Sequence, residues 1–257
     1  HPPGIAQTTR KGQHIAEGEI GSVCESHEEK TFQRTLEHGQ YFVDDVSGEV
    51  LDSKLVLEAR LDEKRGVEEW NLFDKVPVQE CYDRTSNAPV STKWIDINKG
   101  DKKNPKMRSR WVGREFKGHD VRDDLFAATP PLEAKRSLIA RASCQKGVPN
   151  NQLKKLGFID IKKAYFHAKA KRLVYVTLPE EFCEPGEFGK VCGRLNYSLY
   201  GTRDAAQNWF ECYSGALKSL GFKQGTASPC VFHHKDRDIS LVVHGDDFTA
   251  LATEVSL

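Results

Sequence analysis

Ile239-Ser240-Leu241-Val242-Val243-His244-Gly245-Asp246-Asp247-Phe248-Thr249-Ala250-Leu251 decides the reading of this chain. Ile239 to His244 predicts a strand, His244-Gly245-Asp246-Asp247 a tight turn, and Phe248 to Leu251 a returning strand. A charged turn, Lys235 to Asp238, joins this hairpin to an earlier strand at Val231–His234. A second apolar run, Leu156 to Ile161, predicts a strand carrying a single acid, Asp160. An acid at the end of an apolar strand is costly unless it is paired or bound to a metal. Carboxylates brought together from two strands repel one another, and a divalent cation relieves that repulsion. Mg²⁺ favours a few carboxylates together with phosphate oxygens, and a pair of such ions can activate a hydroxyl and stabilise a leaving pyrophosphate. A Gly-Asp-Asp turn alone is weak evidence, because any hairpin can contain one.

Outward from the hairpin, Asp204 to about Leu220 predicts a helix. Asp204 and Gln207 fit a capping box, Trp209, Phe210, Tyr213, Leu217 and Leu220 share one apolar face, and Gly221 ends it. Those aromatics read as core, as do Trp70 and Trp94. Thr129-Pro130-Pro131 predicts the start of a helix running from Leu132 to about Gln145, with Thr129 as N-cap and Pro130 in the first position. Leu173–Leu178 predicts a strand stopped by Pro179. Val90–Asn98 predicts another, turning at Lys99-Gly100 towards a partner within Arg110–Phe116. Asp52–Trp70 predicts a helix, and the acidic stretch from Asp44 to Glu80 reads as a solvated helix face. This order is an α+β layout rather than a series of βαβ units. Residues 1–40 read as a polar, disordered linker and residues 41–257 as one folded domain.

Composition sets wide bounds. The 257 residues are 38% hydrophobic and 29% charged, with a net charge of +1, which suits a water-exposed globular domain. No apolar run approaches the roughly 18 residues of a membrane span, and the start at His1 suggests a piece of a longer reading frame. The seven cysteines are scattered without CxxC spacing, which argues against a disulfide framework or zinc site and for reduced thiols in an intracellular setting. His233 and His234, near Cys230, point to opposite strand faces and do not suggest a metal site. The charge is unevenly distributed. Lys99 to Lys117 is strongly basic, including Arg108, Arg110 and Arg114, and Lys154 to Arg172 holds a second basic stretch. Such clusters either hold phosphates or form a solvated face.

Several motifs then fall in register. Asp160-Ile161-Lys162-Lys163-Ala164-Tyr165-Phe166 resembles motif A of reverse transcriptases. Ser198-Leu199-Tyr200-Gly201-Thr202-Arg203-Asp204-Ala205, followed by Trp209, resembles the copia-type SLYGLKQAPRAW. Leu220-Gly221-Phe222 through Ser228-Pro229-Cys230-Val231-Phe232 is similar to LGF…DPCLF, and His244-Gly245-Asp246-Asp247 stands where that family has YVDD. Lys93-Trp94 with Arg108–Val112, Phe126–Pro130, and Val174 to Pro179 match further family motifs. The chain thus resembles the reverse transcriptase of copia-type retrotransposons from about Val43 to Leu251.

That resemblance implies a right-hand polymerase fragment: fingers, and a palm with an antiparallel sheet, stopping before the thumb and RNase H regions. It implies RNA-directed DNA synthesis with two Mg²⁺ or Mn²⁺ ions held by Asp160, Asp246 and Asp247. Ala164 would offer its backbone N–H to the triphosphate, and Tyr165 would be the gate that excludes a ribose 2′-OH. Arg108, Arg110 and Arg114 would grip incoming phosphates, with the principal one left open. The implied partners are a template with its primer, dNTPs and other parts of a Pol polyprotein (integrase, protease, RNase H), with no membrane. Two departures stand out. Gly245 would loosen the acidic turn, and Asp204 replaces a Gln that helps to hold the nucleotide, leaving Asp204 a helix-capping role. Two alternatives remain: a catalytically inactive, decayed fragment that only binds nucleic acid, and an RNA-dependent RNA polymerase.

Overall fold

A computed structural model describes residues 41–116 and 129–257. The expected linker 1–40, Lys117 and Phe126-Ala127-Ala128 lie outside the described residues. In chain order the strands are β1 (Phe42–Val43), β2 (Val50–Leu51), β3 (Phe73–Pro77), β4 (Thr92–Asn98), β5 (Met107–Gly113), β6 (Lys154–Asp160), β7 (Tyr175–Thr177), β8 (Val191–Leu195), β9 (Lys223–Gln224), β10 (Val231–His234), β11 (Ile239–His244) and β12 (Asp247–Thr253). The helices are α1 (Ser53–Glu69), α2 (Val78–Thr85), α3 (Leu132–Ser143) and α4 (Ala205–Ser219). The architecture mixes helices with antiparallel sheets, as expected.

The largest sheet has five strands in the order β6-β12-β11-β10-β9, every pair antiparallel. Its central strands are apolar on successive residues because both faces are covered. Leu241 and Val243 of β11, with Phe248 and Ala250 of β12, meet Trp209, Tyr213 and Leu217 of α4. The alternate residues Val242 and Leu251 meet Leu138 of α3 on the other side. Arg141 of α3 also donates to Ser240 Oγ at 3.0 Å. β6 forms one edge of this sheet among the described residues, with Phe158 73% and Ile159 51% exposed.

A three-stranded sheet, β3-β8-β7, and the β4–β5 hairpin enclose a second core built on Trp111, Phe166, Val176, Phe182 and Leu199. The 3-10 turn Ala164–His167 joins the two cores. Ala164 belongs to the first and Phe166, fully buried, to the second. The hairpin is tied to the three-stranded sheet by Thr92, whose N–H donates to Thr177 Oγ1 at 3.0 Å.

Several expectations need correcting. Helix α3 begins at Leu132, with Pro131 extended as its N-cap. Thr129 does not cap it, since a residue preceding a proline is pushed away from helical geometry and Pro130 precedes Pro131. Asp204 precedes α4 but makes no capping bond, and Gln207 donates to Glu211 at 2.7 Å instead of completing a box. The partner of β4 runs over Met107–Gly113 rather than to Phe116. The stretch from Asp44 to Glu80 is not one solvated helix face: it contains β2, α1, β3 and the start of α2, and it buries Asp44 and Glu63. The expected helix within it holds, capped by Asp52, whose Oδ1 accepts from the Leu55 N–H at 3.0 Å.

Asp44 fastens β1 to the end of β4. Its Oδ1 accepts from the N–H groups of Val46 and Ser47 at 2.8 Å each, and its Oδ2 accepts from the Asn98 N–H at 2.7 Å. These backbone donors, the Asn98 bond foremost, lower its pKa from 3.8 to about 2. The folded value lies below the ordinary one, so the stability from this group is full above 3.8 and is lost as pH falls through about 2. Thermal unfolding should therefore show a steeper acid decline in the parent than in Asp44→Asn across that window. Parallel curves for the two would remove Asp44 from the acid response.

Candidate metal and nucleotide site

The site is assembled by strand register. β12 runs beside β6 so that Asp247 lies opposite Asp160, and Phe248 lies opposite Ile159. The pairing continues past the strand end, where the Ile161 N–H donates to the Asp246 carbonyl at 3.0 Å. Asp246 comes from the β11–β12 turn. One carboxylate oxygen from each of Asp160, Asp246 and Asp247 can be chosen so that all lie within 4.8 Å of one another. Asp160 and Asp247 are exposed and Asp246 is half-buried. This corrects one expectation: the acids sit at the ends of apolar strands but open to water. The donor set is three hard carboxylate oxygens with open faces, which suits Mg²⁺ or Mn²⁺ and leaves room for phosphate oxygens.

The turn that carries Asp246 is joined to α4 through Gly245. Gly245 adopts a left-handed conformation with φ +65°, which glycine takes without the strain a side chain would add. Its carbonyl accepts from the Trp209 indole Nε1 at 2.8 Å. Trp209 is therefore a core residue, as its position in the helix pattern suggested, and also the tether that ties α4 to the acidic turn. The pattern of apolar residues carries the first role and has no signal for the second.

Beside the acids lies a cleft of about 310 Å³ lined by Asp160, Asp246, Lys162, Lys163, Arg108, Arg110, Tyr200 and Glu63, among others. The structure thus brings Arg108 and Arg110 to the acids and leaves Arg114 apart, its guanidinium 5.7 Å from the Phe116 ring. The Arg110 guanidinium lies 5.0 Å from the Tyr200 ring centre. Tyr165 is half-buried with its ring 4.7 Å from that of Tyr200, and Tyr200 is the aromatic that lines the cleft. Burial, followed by the nearby Asp246 charge, raises the Tyr165 pKa. Burial pushes Tyr200 up to about 12 against the opposing pull of Arg110. Both phenols therefore stay protonated near neutral pH. Ala164 is buried at the start of its 3-10 turn.

Glu63 was not singled out from the sequence, and Lys163 was named there only within the Asp160–Phe166 motif and the second basic stretch. The Lys163 ammonium is 3.3 Å from Glu63 Oε2. Burial raises the Glu63 pKa, and Lys163, Arg110 and Arg108 oppose that rise. A signal was available: Glu63 falls on the same helical stripe as Val56 and Val67, both fully buried, so an acid there needed a partner. Asp204 is also buried. Arg172 donates to its Oδ1 at 2.8 Å and Asn208 Nδ2 to its Oδ2 at 3.0 Å, and Arg172 also pairs with Glu115. Asp204 is thus committed to an ion pair rather than to a helix cap or to the cleft.

Comparison with known proteins adds the family. Residues 79–256 match the model of the family described as reverse transcriptase (RNA-dependent DNA polymerase). The chain is 27% identical over 177 residues to the retrovirus-related Pol polyprotein from transposon TNT 1-94 of Nicotiana tabacum, covering 66% of this chain and 13% of that polyprotein. It is 25% identical over 180 residues to the transposon Ty1-LR2 Gag-Pol polyprotein of Saccharomyces cerevisiae, covering 69% of this chain and 10% of that one. The chain therefore spans only a small part of these relatives. Among the described residues, no helix is long and apolar enough to cross a membrane.

Trp209→Phe keeps an aromatic ring in the core and removes the bond to the Gly245 carbonyl. It should cost about 1 kcal/mol in urea unfolding, and an unchanged midpoint would mean that water replaces the indole without loss.

Proposed function

The chain belongs to the reverse transcriptase (RNA-dependent DNA polymerase) family, and from that premise we propose that it is the fingers and palm of a copia-type polymerase that extends a primer 3′-OH with dNTPs on an RNA or DNA template. The observation that carries this reading is the meeting of Asp160, Asp246 and Asp247 beside a cleft that Arg108, Arg110 and Lys162 line. The five-stranded sheet is read as the palm and the β4–β5 hairpin as part of the fingers. Asp160 and Asp246, with Asp247 as third carboxylate, are the residues that would hold the metal. Bound there, Mg²⁺ or Mn²⁺ supplies a lowered pKa for the attacking hydroxyl and charge neutralisation at the leaving pyrophosphate.

The chain's own groups do the rest. Arg108, Arg110 and Lys162 present positive charge to a triphosphate lying along the cleft. Arg114 does not line the cleft and is given no triphosphate contact in this reading. The Ala164 N–H is assigned to the triphosphate, at the start of a turn held by both cores. Tyr165 is assigned as the sugar gate, buttressed by Tyr200. The reaction forms a bond from the primer 3′-oxygen to the α-phosphorus and breaks the bond to pyrophosphate, with the hydroxyl proton passing to solvent. Template and primer bind mainly through their phosphates, so affinity falls with salt. Other segments of a Pol polyprotein are the expected partners.

One observation favours a second reading, a fragment that binds nucleic acid without catalysis. Asp204 stands where a copia-type sequence has a nucleotide-holding Gln, and it is buried against Arg172. Primer extension with Mg²⁺ or Mn²⁺, comparing the parent with Asp246→Asn, separates the two. Extension by the parent and a loss of more than about 100-fold in the variant is the expected result. Salt-sensitive binding of primer–template with no extension by either would select the second reading.

Tyr165→Val tests the gate. Discrimination between dNTP and rNTP should fall by about tenfold or more if the ring blocks a 2′-OH. Unchanged sugar selectivity would remove Tyr165 from that role, and a parent that prefers rNTPs would make the chain an RNA-dependent RNA polymerase.

A further inference from the structure

Three features beside the cleft are left unexplained by the reading above. Glu63 is a buried acid in the middle of α1, its side chain only 9% exposed. Gly66 interrupts the same helix one turn later, where glycine is the poorest residue short of proline. Lys163 adopts a left-handed backbone with φ 52° and ψ 42°, uncommon for any residue with a side chain.

One contact explains all three. The Lys163 side chain reaches across α1 to place its ammonium 3.3 Å from Glu63 Oε2. On the way it passes over Gly66, where an added Cβ would overlap the ammonium itself and lie 2.7 Å from Cε. The missing side chain at Gly66 leaves the space that the ammonium fills. The backbone of Lys163 is held as well, since its carbonyl accepts from the Phe166 N–H at 2.8 Å and Phe166 is fully buried in the second core. A strained residue persists only where its surroundings over-determine it. Here a buried counter-ion, the space at Gly66 and a buried ring do so.

We propose that Glu63, Gly66 and Lys163 form a clamp that fixes the turn Ile161–Ala164 against α1. They are positioning residues: the turn they hold begins next to Asp160 and ends at Ala164, and α1 packs along β5, which carries Arg108 and Arg110. One contact thus sets the distance between the acids, the backbone N–H at Ala164 and the cationic strand. The proposal rests on the polymerase reading for its consequence, nucleotide binding, but the clamp itself is a statement about the turn.

The decisive variant is Gly66→Ala, with Lys163→Met beside it. Alanine is the better helix former, so a loss in Gly66→Ala cannot come from a weakened α1. Hydrogen exchange by mass spectrometry reads the clamp directly. Peptides covering residues 161–167 should exchange about tenfold faster in both variants, with those of β11 and β12 unchanged. In primer extension, KM for dNTP should rise about tenfold while kcat changes less than about threefold. Unaltered exchange over 161–167 overturns the clamp. So does faster exchange throughout the sheet, which would make the pair a general stability element, or an unchanged KM in an active chain. If the parent extends no primer, the polymerase reading fails on its own, and the exchange result alone decides the clamp.

Discussion

Like charges confined to the reach of one ion are the constraint around which this structure is organised. Asp160, Asp246 and Asp247 repel one another, and nothing in their own chemistry holds them together. Their proximity is imposed by apolar burial elsewhere. The pairing of β12 with β6 is set by which side chains face α3 and which face α4, and a slip of one residue would exchange the two faces. The register that packs Leu251 against Leu138 and Phe248 against α4 is the same register that puts Asp247 opposite Asp160. Exposure of two of the three carboxylates keeps the cost of their crowding low, since water screens what the fold forces together.

Two further ties convert that register into a defined site. The Trp209 indole fixes the acidic turn from the α4 side. The 3-10 turn Ala164–His167 fixes the other flank by burying residues in both cores. Around this centre the charged groups are mostly engaged. Arg60 pairs with Asp96 at 2.6 Å and Glu181 at 3.1 Å, and Arg172 joins Asp204 to Glu115. These pairs link the β4–β5 hairpin and its neighbours to the rest of the chain with directional contacts rather than with apolar area alone.

Much of this was legible in the sequence because it depended on local pattern. The β10–β11–β12 meander, the apolar face of α4 and the acids at strand ends follow from alternation and helical spacing around Ile239–Leu251 and Asp204–Leu220. What was missed depends on contacts between distant segments. Lys163 and Glu63 are ordinary charged residues until the fold sets one against the other, and Gly66 looks like a weak point in a helix until a side chain crosses it. Asp204 read as a helix cap because its neighbour in space, Arg172, lies in another segment. The start of α3 at Leu132 was read correctly, but its cap was misassigned to Thr129 for a local reason, the effect of Pro131 on Pro130, which the capping pattern alone ignores. β3 and β8 escaped because their burial alternates poorly and each depends on its partner strand.

The distance along the chain between β6 and β12 has a kinetic consequence. The β11–β12 hairpin closes locally and brings Asp246 and Asp247 together early, but β6 can join it only after a long intervening loop is closed, which is the slow kind of pairing. Until then Phe158 and Ile159, still exposed in the finished fold, would stand on a strand with both edges open, a species prone to stick to its own kind. The capacity to gather an ion is therefore acquired with a long-range pairing, Asp160 beside Asp247, and not with a local one. Loop-closure entropy sets the expectation that it follows the hairpin that already carries two of the three acids.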